Sequence, residues 1–459
     1  MKSLGCRISA LATVAGVVLG VAACSSSSRT TGTSTPSSAA PTTSTPAAPI
    51  SSAPSAPASS AVTSSAPSST AASAPASSPV DVTANSVDLD VFGYDAGVQA
   101  WADSTSKAFN ALNKGYTLKI TVVPANSLQQ LLTTRVQGGD PPDISSMPTA
   151  WIPAFAAANA ITDLRSSLSS SFLATFNKNL LNGSMYNGKL DSLPYGSSTR
   201  ALFYNKDEFT KAGLSGPPKT WDELIADSTK LVSSKAAKYG FALQGTGNET
   251  FAAWFPYFYW SYGGDFGTGA KTNIDQTACV AAMTELNKMV NVAKVTQPNP
   301  TSTDTPQLQD LFTSGQAAMT IDGPWLVAPS KGIATGVAAV PAGTTQSTLG
   351  VADGWTEFAK GKASKSQDAE VLNFLLSAPI ENPFLVGRGF LPTIDASFSD
   401  PAFTGPTTKP FVDALAGAKF APLAPDWTTL ADKGGKAMQT MYVDGKSPTQ
   451  VCQAIEALT

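Results

Sequence analysis

The chain has 459 residues, with 30 Lys and Arg against 33 Asp and Glu, a net charge of −3 and no basic tract, which argues against nucleic acid and phosphate-rich partners. It contains no histidine, so Ser-His-Asp and Cys-His catalysis, HExxH zinc chemistry and every histidine general base are excluded. Of the four cysteines two lie within the first 24 residues, and the remaining pair, Cys279 and Cys452, is too few for a zinc site; no metal or cofactor is expected.

Lys2 and Arg7 flank the start of an uncharged, mostly apolar run from Ile8 to Ala22, and Val21, Ala22 and Ala23 stand directly before Cys24. This is the layout of an export signal over residues 1–23. The run falls short of the roughly 20 apolar residues that a membrane span needs. The tetrapeptide "VAAC" resembles a bacterial lipobox. That resemblance implies that Cys24 becomes the first mature residue and carries a thioether-linked lipid with an N-acyl chain such as palmitate. Two or more acyl chains anchor stably, whereas one binds a membrane only reversibly. Loss of Lys2 and Arg7 with the signal brings the side-chain charge to −5. From Ser25 to Pro79 the chain is almost only Ser, Thr, Ala and Pro, with Arg29 its single charge. Such a segment has too few large apolar side chains to offset the entropy of ordering. Residues 24–84 are therefore expected to be a disordered tether, reaching roughly 40 Å as a flexible coil, between a lipid anchor and a globular body on the extracytoplasmic face of the cell membrane.

The body, from about residue 85 to Thr459, exceeds a usual single core and suggests two lobes. "VDLDVFGY" (87–94) reads as a strand, followed by a helix over 98–112. "YTLKITVVP" (116–124) alternates like a strand, and 128–136 has helical spacing. "PDISSM" (142–147) is a short strand and "TAWIPAFAAANA" a helix. This βαβα order predicts a parallel sheet covered by helices. "GSMYNGKL" (183–190) imitates a phosphate-binding loop, but Leu190 stands where a Ser or Thr hydroxyl would be needed. "YNGK" reads instead as a tight turn. In "NKDEFTKAGL", Asp207 is placed to cap a short helix that Gly213 ends. Thr220 with Glu223, and Ser447 with Gln450, have capping-box spacing, with Pro448 at a first helical position. Cys279 and Cys452 both lie on apolar faces of helical patterns. They are either two buried thiols or, outside the cytoplasm, a disulfide stapling two helices.

Several segments then occur in a telling order. "GGDPPDI" (138–144) is followed by "LPYGSSTRALFYNKDEFTKAGLSGPPKTWDEL" (193–224), "YWSYGGDFG" (259–267) and "GQAAMTIDGPWLV" (315–327). "KASKSQDAEVLNFLLS" (362–377), "GFLPT" (389–393) and "DGKSPTQVCQAIEAL" (444–458) complete the series. Together they resemble the extracellular solute-binding proteins of the maltose-binding-protein type, across essentially the whole body. The resemblance implies an α/β, two-lobed periplasmic-binding-protein-like fold (type II), each lobe a sheet flanked by helices, with hinge strands between. Lobe 1 would comprise 85–198 and 341–391, and lobe 2 would comprise 199–340 and 392–459. The hinges would fall near Ser198–Leu202, Val337–Pro341 and Phe390–Thr393.

The same resemblance implies a monomeric substrate-binding lipoprotein of an ABC importer, not an enzyme. It would close over a carbohydrate by hinge motion and deliver it to the membrane permease subunits. Ligands in open α/β sheets sit beyond the carboxyl ends of strands. Sugar sites pair aromatic faces with carboxylates and amides. Tyr94 and Asp95 follow the first strand, Trp151 follows "PDI", and Trp325 follows "AAMTID" at the family position. These four are expected to contact ligand. Trp254, Tyr259 and Trp260 in "FAAWFPYFYW" suit core packing and sugar contact equally; Trp254 and Tyr259 are taken as ligand candidates. Gly354 with Trp355, where a glycine admits close approach to the backbone, and Trp427 in "LAPDWTTL" join the candidate set. Trp101 and Trp221 read as core, Asp143 as a turn stabiliser, and Arg388 as part of an ion pair. Two other classes stay open: a secreted glycan-cleaving enzyme using two carboxylates, and a cell-surface adhesion module.

Overall fold

A computed structural model describes residues 80–93, 96–247, 250–267 and 271–459. Cys24, the expected export signal and all but the end of the expected tether lie outside the described residues, as do Tyr94 and Asp95. Asp81, Thr83 and Ala84 lie across the start of the helix Lys365–Leu375, where Thr83 N donates to Gln367 Oε1 at 2.9 Å and Gln367 Nε2 donates to Ala84 O at 2.8 Å. The last residues assigned to the tether are thus part of the folded body.

The alternation in "SVDLDVFG" builds β1 (Ser86–Gly93) and divides its side chains between two faces. Val87, Leu89 and Val91 enter one apolar cluster with Phe109, Leu118 and Tyr195. Phe92 enters another with Leu128, Leu132 and Met147. The helix Ala96–Asn110 supplies Phe109 to the first face, and the helix Ala125–Gly138 supplies Leu128 and Leu132 to the second. A strand buried on both faces needs such double cover. β2 (Thr117–Pro124) and β3 (Ile144–Pro148) pair parallel with β1 on either side, as the βαβ order predicts.

β4 (Met185–Tyr186) and β5 (Lys189–Leu190) pair as a hairpin, and β6 (Leu193–Ser198) and β7 (Ala201–Asn205) follow in the chain, each joining a different sheet. The later strands are β8 (Met319–Asp322), β9 (Thr335–Ala338), β10 (Thr348–Glu357) and β11 (Ala418–Phe420). The large sheet has the order β11-β10-β3-β1-β2, with β6 also paired to β10. Beyond the parallel β1–β3 core that the βαβα order predicts, β10 runs antiparallel to both β3 and β6. The second sheet, β8-β7-β9, is wholly antiparallel. It joins the largest apolar cluster, which holds Trp221, Phe241, Phe258, Met283 and Met438.

Two chain passages connect the two sheets, from β6 to β7 and from β9 to β10. Ser197 and Leu391 exchange backbone hydrogen bonds at 3.0 and 2.8 Å. Thr348 Oγ1 accepts from Arg200 N at 3.2 Å and donates to Arg200 O at 2.9 Å. β11 belongs by sequence to the segment 392–459 assigned to lobe 2, yet it pairs in parallel with β10 in the large sheet.

Local signals had mixed outcomes. Ser447 forms a full capping box with Gln450. Thr220 caps through Glu223 N, but the Glu223 carboxylate accepts from Lys219 N rather than from the cap residue. The short helix Lys206–Ala212 ends at Gly213 as expected, but Asn205, not Asp207, is its cap. Asp207 is the second residue inside the helix, so its own amide is one of the unpaired donors, and Asn205, just before the helix, accepts from it at 3.1 Å. Cys279 and Cys452 form a disulfide across a sequence separation of 173 residues. It joins the helices Gln276–Asn287 and Pro448–Glu456. No helix among the described residues is long and apolar enough to cross a membrane.

Candidate functional site

An aromatic cavity of about 510 Å³ lies between residues 182–187, 260–267 and 419–425. The expected lobe boundaries put the first segment in one lobe and the second in the other. Each wall has a local cause. Asn187 and Gly188 take φ of 48° and 75°, the two left-handed positions of a type I′ hairpin turn. The "YNGK" turn therefore forms and presents Tyr186 and Asn187 to the cavity. Arg165 Nη2 holds the turn through Gly188 O at 2.7 Å, and Asp163 Oδ1 accepts from Leu190 N at 3.3 Å. The Arg165 guanidinium keeps the Asp163 carboxyl below its usual range.

The second wall comes from the helix Phe255–Ser261, entered through a π-helical turn at Thr250–Trp254. Tyr259 turns inward and is fully buried. Its hydroxyl accepts from Asp275 N at 2.7 Å and donates to Asp265 O at 3.1 Å. Trp260, about 100° further round the helix, is buried in the same apolar cluster and also lines the cavity. The chain then turns over the Tyr259 ring at Gly263 and Gly264, where a side chain on Gly264 would collide with that ring. This returns Asp265 to the cavity, with Oδ1 accepting from Gly267 N at 2.7 Å. Lys419 and Phe420 on β11 form the third wall, and Lys419 Nζ points to Gly264 O at 3.5 Å. Neither Asp265 nor Lys419 has an ion-pair partner among the described residues.

The expected ligand residues scatter. Trp254, Tyr259, Trp355 and Trp427 are corrected to core positions. Trp254 Nε1 donates to Gln244 Oε1 at 3.3 Å inside the second-sheet cluster. Trp355 packs on Tyr195 at 4.4 Å and stacks with Trp101 at 6.3 Å. Trp427 meets Phe266 edge-on at 4.9 Å. Gly354 sits at a register shift in β10, where Ser192 and Leu193 occupy the space a side chain would need. Its backbone approaches a strand, not a ligand. Trp151 is half-buried against Phe92 at 5.4 Å and joins the apolar cluster that contains Tyr186.

Trp325 borders a different space, of about 750 Å³, with Arg388 and Phe390. The Arg200 guanidinium lies 4.6 Å over its ring. Arg388 packs over Phe384 and Phe390 at 4.9 and 4.7 Å, and its charge opposes the burial that pushes Asp353 up to about 6. Asp322, before Trp325, is raised by burial and accepts from Gln309 Nε2 at 2.9 Å and Gly323 N at 2.7 Å. Trp101 and Trp221 are core, as expected. Asp143 stabilises its surroundings by accepting from Asp88 N and Ala363 N, each at 2.8 Å.

The two helix-flanked sheets accord with what known proteins show. Residues 94–381 match the model of the bacterial extracellular solute-binding protein family. The chain belongs to the bacterial extracellular solute-binding proteins. A binding protein of Brucella abortus (strain 2308) is 34% identical over 375 residues, which cover 80% of this chain and 91% of that one. The diacetylchitobiose binding protein DasA of Streptomyces coelicolor is 26% identical over 373 residues, covering 78% and 85%. In three dimensions this solute-binding protein is similar to the cyclic α-maltosyl-1,6-maltose binding protein of Arthrobacter globiformis, with a TM-score of 0.73 and 21% identity over 81% of this chain and 97% of that one. The likeness shows the two-lobed fold.

Proposed function

We propose that this solute-binding protein captures a carbohydrate, an oligosaccharide, in the 510 Å³ cavity and hands it unaltered to an ABC permease. One observation carries the reading. Tyr186, Trp260, Phe266 and Phe420 surround a space that also receives Asn182, Asn187, Asp265 and Lys419. Aromatic faces pack on the apolar C–H faces of sugar rings, and amides and charged groups bond the hydroxyls. The volume lies within the usual range of small-ligand sites, about 300–1,000 Å³. Among relatives, one is named for diacetylchitobiose and another for a cyclic maltosaccharide, which supports the same ligand class.

A ligand touching both 182–187 and 260–267 favours a closed form by hinge motion, because only the closed form makes both sets of contacts. Cys24 would carry the lipid that keeps this monomer at the extracytoplasmic membrane face. The glycan-cleaving alternative needs two carboxyl groups flanking one bond. Among the described lining residues Asp265 is the only carboxylate.

The test is thermal shift of the full chain against mono-, di-, tri- and tetrasaccharides, with chromatography of each sugar after incubation. A ligand at a hundredfold excess over its Kd stabilises the native state by about 2.7 kcal/mol. The expected result is a shift with one saccharide series, and sugar recovered intact. No shift with any saccharide, or cleavage of one, overturns the reading.

A further inference from the structure

Phe420 lies in a slot made of two glycines. Its Cα is opposite Gly350 in the β10–β11 ladder. A methyl group built on Gly350 would stand 2.8 Å from Cε1 and Cζ of the ring, and one on Gly183 would stand 3.2 Å from Cγ and Cδ2. Neither glycine has the positive φ that would itself demand glycine. What the missing side chains supply is room for the ring. Behind the ring is a close-packed cluster that includes Leu180, Phe203, Leu391 and Phe411. In front is the cavity it shares with Tyr186 and Trp260. A ring displaced from the slot therefore moves into the cavity, since packed interiors yield little.

We infer that the Gly183–Gly350 slot sets the length of saccharide this site accepts. It draws the Phe420 ring back, so that longer saccharides fit. Filling the slot advances the ring and leaves room only for short ones. The inference rests on the carbohydrate reading above. It names residues that act on specificity through Phe420, not through direct contact alone.

The experiment titrates the full chain and three variants, Gly183→Ala, Gly350→Ala and Gly183→Ala with Phe420→Ala. The probes are maltose with maltotetraose, and diacetylchitobiose with its tetramer, followed by calorimetry. Either glycine variant is expected to lose tenfold or more in affinity for the tetrasaccharide relative to the disaccharide. Removing the ring in the Gly183→Ala background is expected to restore the wild-type ratio, which a merely destabilised protein would not do. Should neither glycine variant fold, Phe420→Trp overfills an unaltered slot and is expected to show the same selective loss. A wild-type protein that binds a probe pair, with variants whose ratio is unchanged or not restored, overturns the slot alone. A wild-type protein that binds none of the probes overturns the carbohydrate reading, and the slot falls with it.

Discussion

Tyr259 and Trp260 are neighbours with opposite duties. One residue's step of about 100° aims Tyr259 at the loop, where it orders Asp265, and lets Trp260, buried in the same cluster, also line the cavity. "FAAWFPYFYW" is aromatic all round, so no periodicity within it separates the faces. Tyr186→Ala, on a half-buried hairpin residue, is expected to weaken saccharide binding tenfold or more while leaving Tm nearly unchanged. Tyr259→Phe is expected to cost about 1–2 kcal/mol of stability by losing the hydroxyl that both donates and accepts. Calorimetry and thermal melting separate the two outcomes. Glu381 makes a second residue-scale case. It is buried on the helix Ala378–Arg388, and that burial pushes its pKa up to about 8. The nearby Thr393 hydroxyl opposes the shift but donates to Pro194 O at 2.8 Å. A carboxyl whose folded pKa is raised holds its proton longer in the native state. Its stabilising share is full below the unfolded value and is lost as pH rises toward 8. Glu381→Gln should therefore gain in Tm relative to the wild type between pH 5 and pH 8.5. An equal difference at both pH values would show that the carboxyl does not titrate in this window.

Among the elements, the first βαβα run was legible because alternation and helical spacing are local properties. β1, β2, β3 and their two helices lie where those patterns place them. β11 was not legible. It is three residues long, and its strand character comes from pairing with β10 some seventy positions earlier. The same holds for Phe420 and its glycine slot, which need Gly183, Gly350 and β11 to meet. The capping error at Asn205 arose because Asn and Asp compete for one cap within three positions, and only backbone geometry chooses between them. The Cys279–Cys452 pairing needed the fold, because helical faces show burial but not partners. Replacing both cysteines by alanine is expected to cost about 2–5 kcal/mol. A reducing agent should lower the refolding midpoint by a similar amount, read by denaturant titration with and without it. A midpoint insensitive to both would mean that the helices Gln276–Asn287 and Pro448–Glu456 hold together by packing alone.

For the whole molecule, the fold was readable through the order of many weak motifs, and the cavity was not. The sequence located Trp325 and Trp151 near strand ends, but the cavity with the most aromatic lining formed from a hairpin, a helix and β11. Small-angle scattering offers the whole-molecule test of closure: a saturating saccharide should reduce the radius of gyration of the full chain. An unchanged radius with a confirmed ligand would leave binding intact and remove hinge motion. The antiparallel insertion of β10 between β3 and β6 has a further result for how the chain reaches this state. A polypeptide emerging from the ribosome cannot give β3 and β6 their shared neighbour until residue 357 is available, and the large sheet is finished only when β11 at 418–420 follows. An open edge invites pairing with other chains. Until β10 is present, the unpaired edge of β3 is where a shortened chain would self-associate.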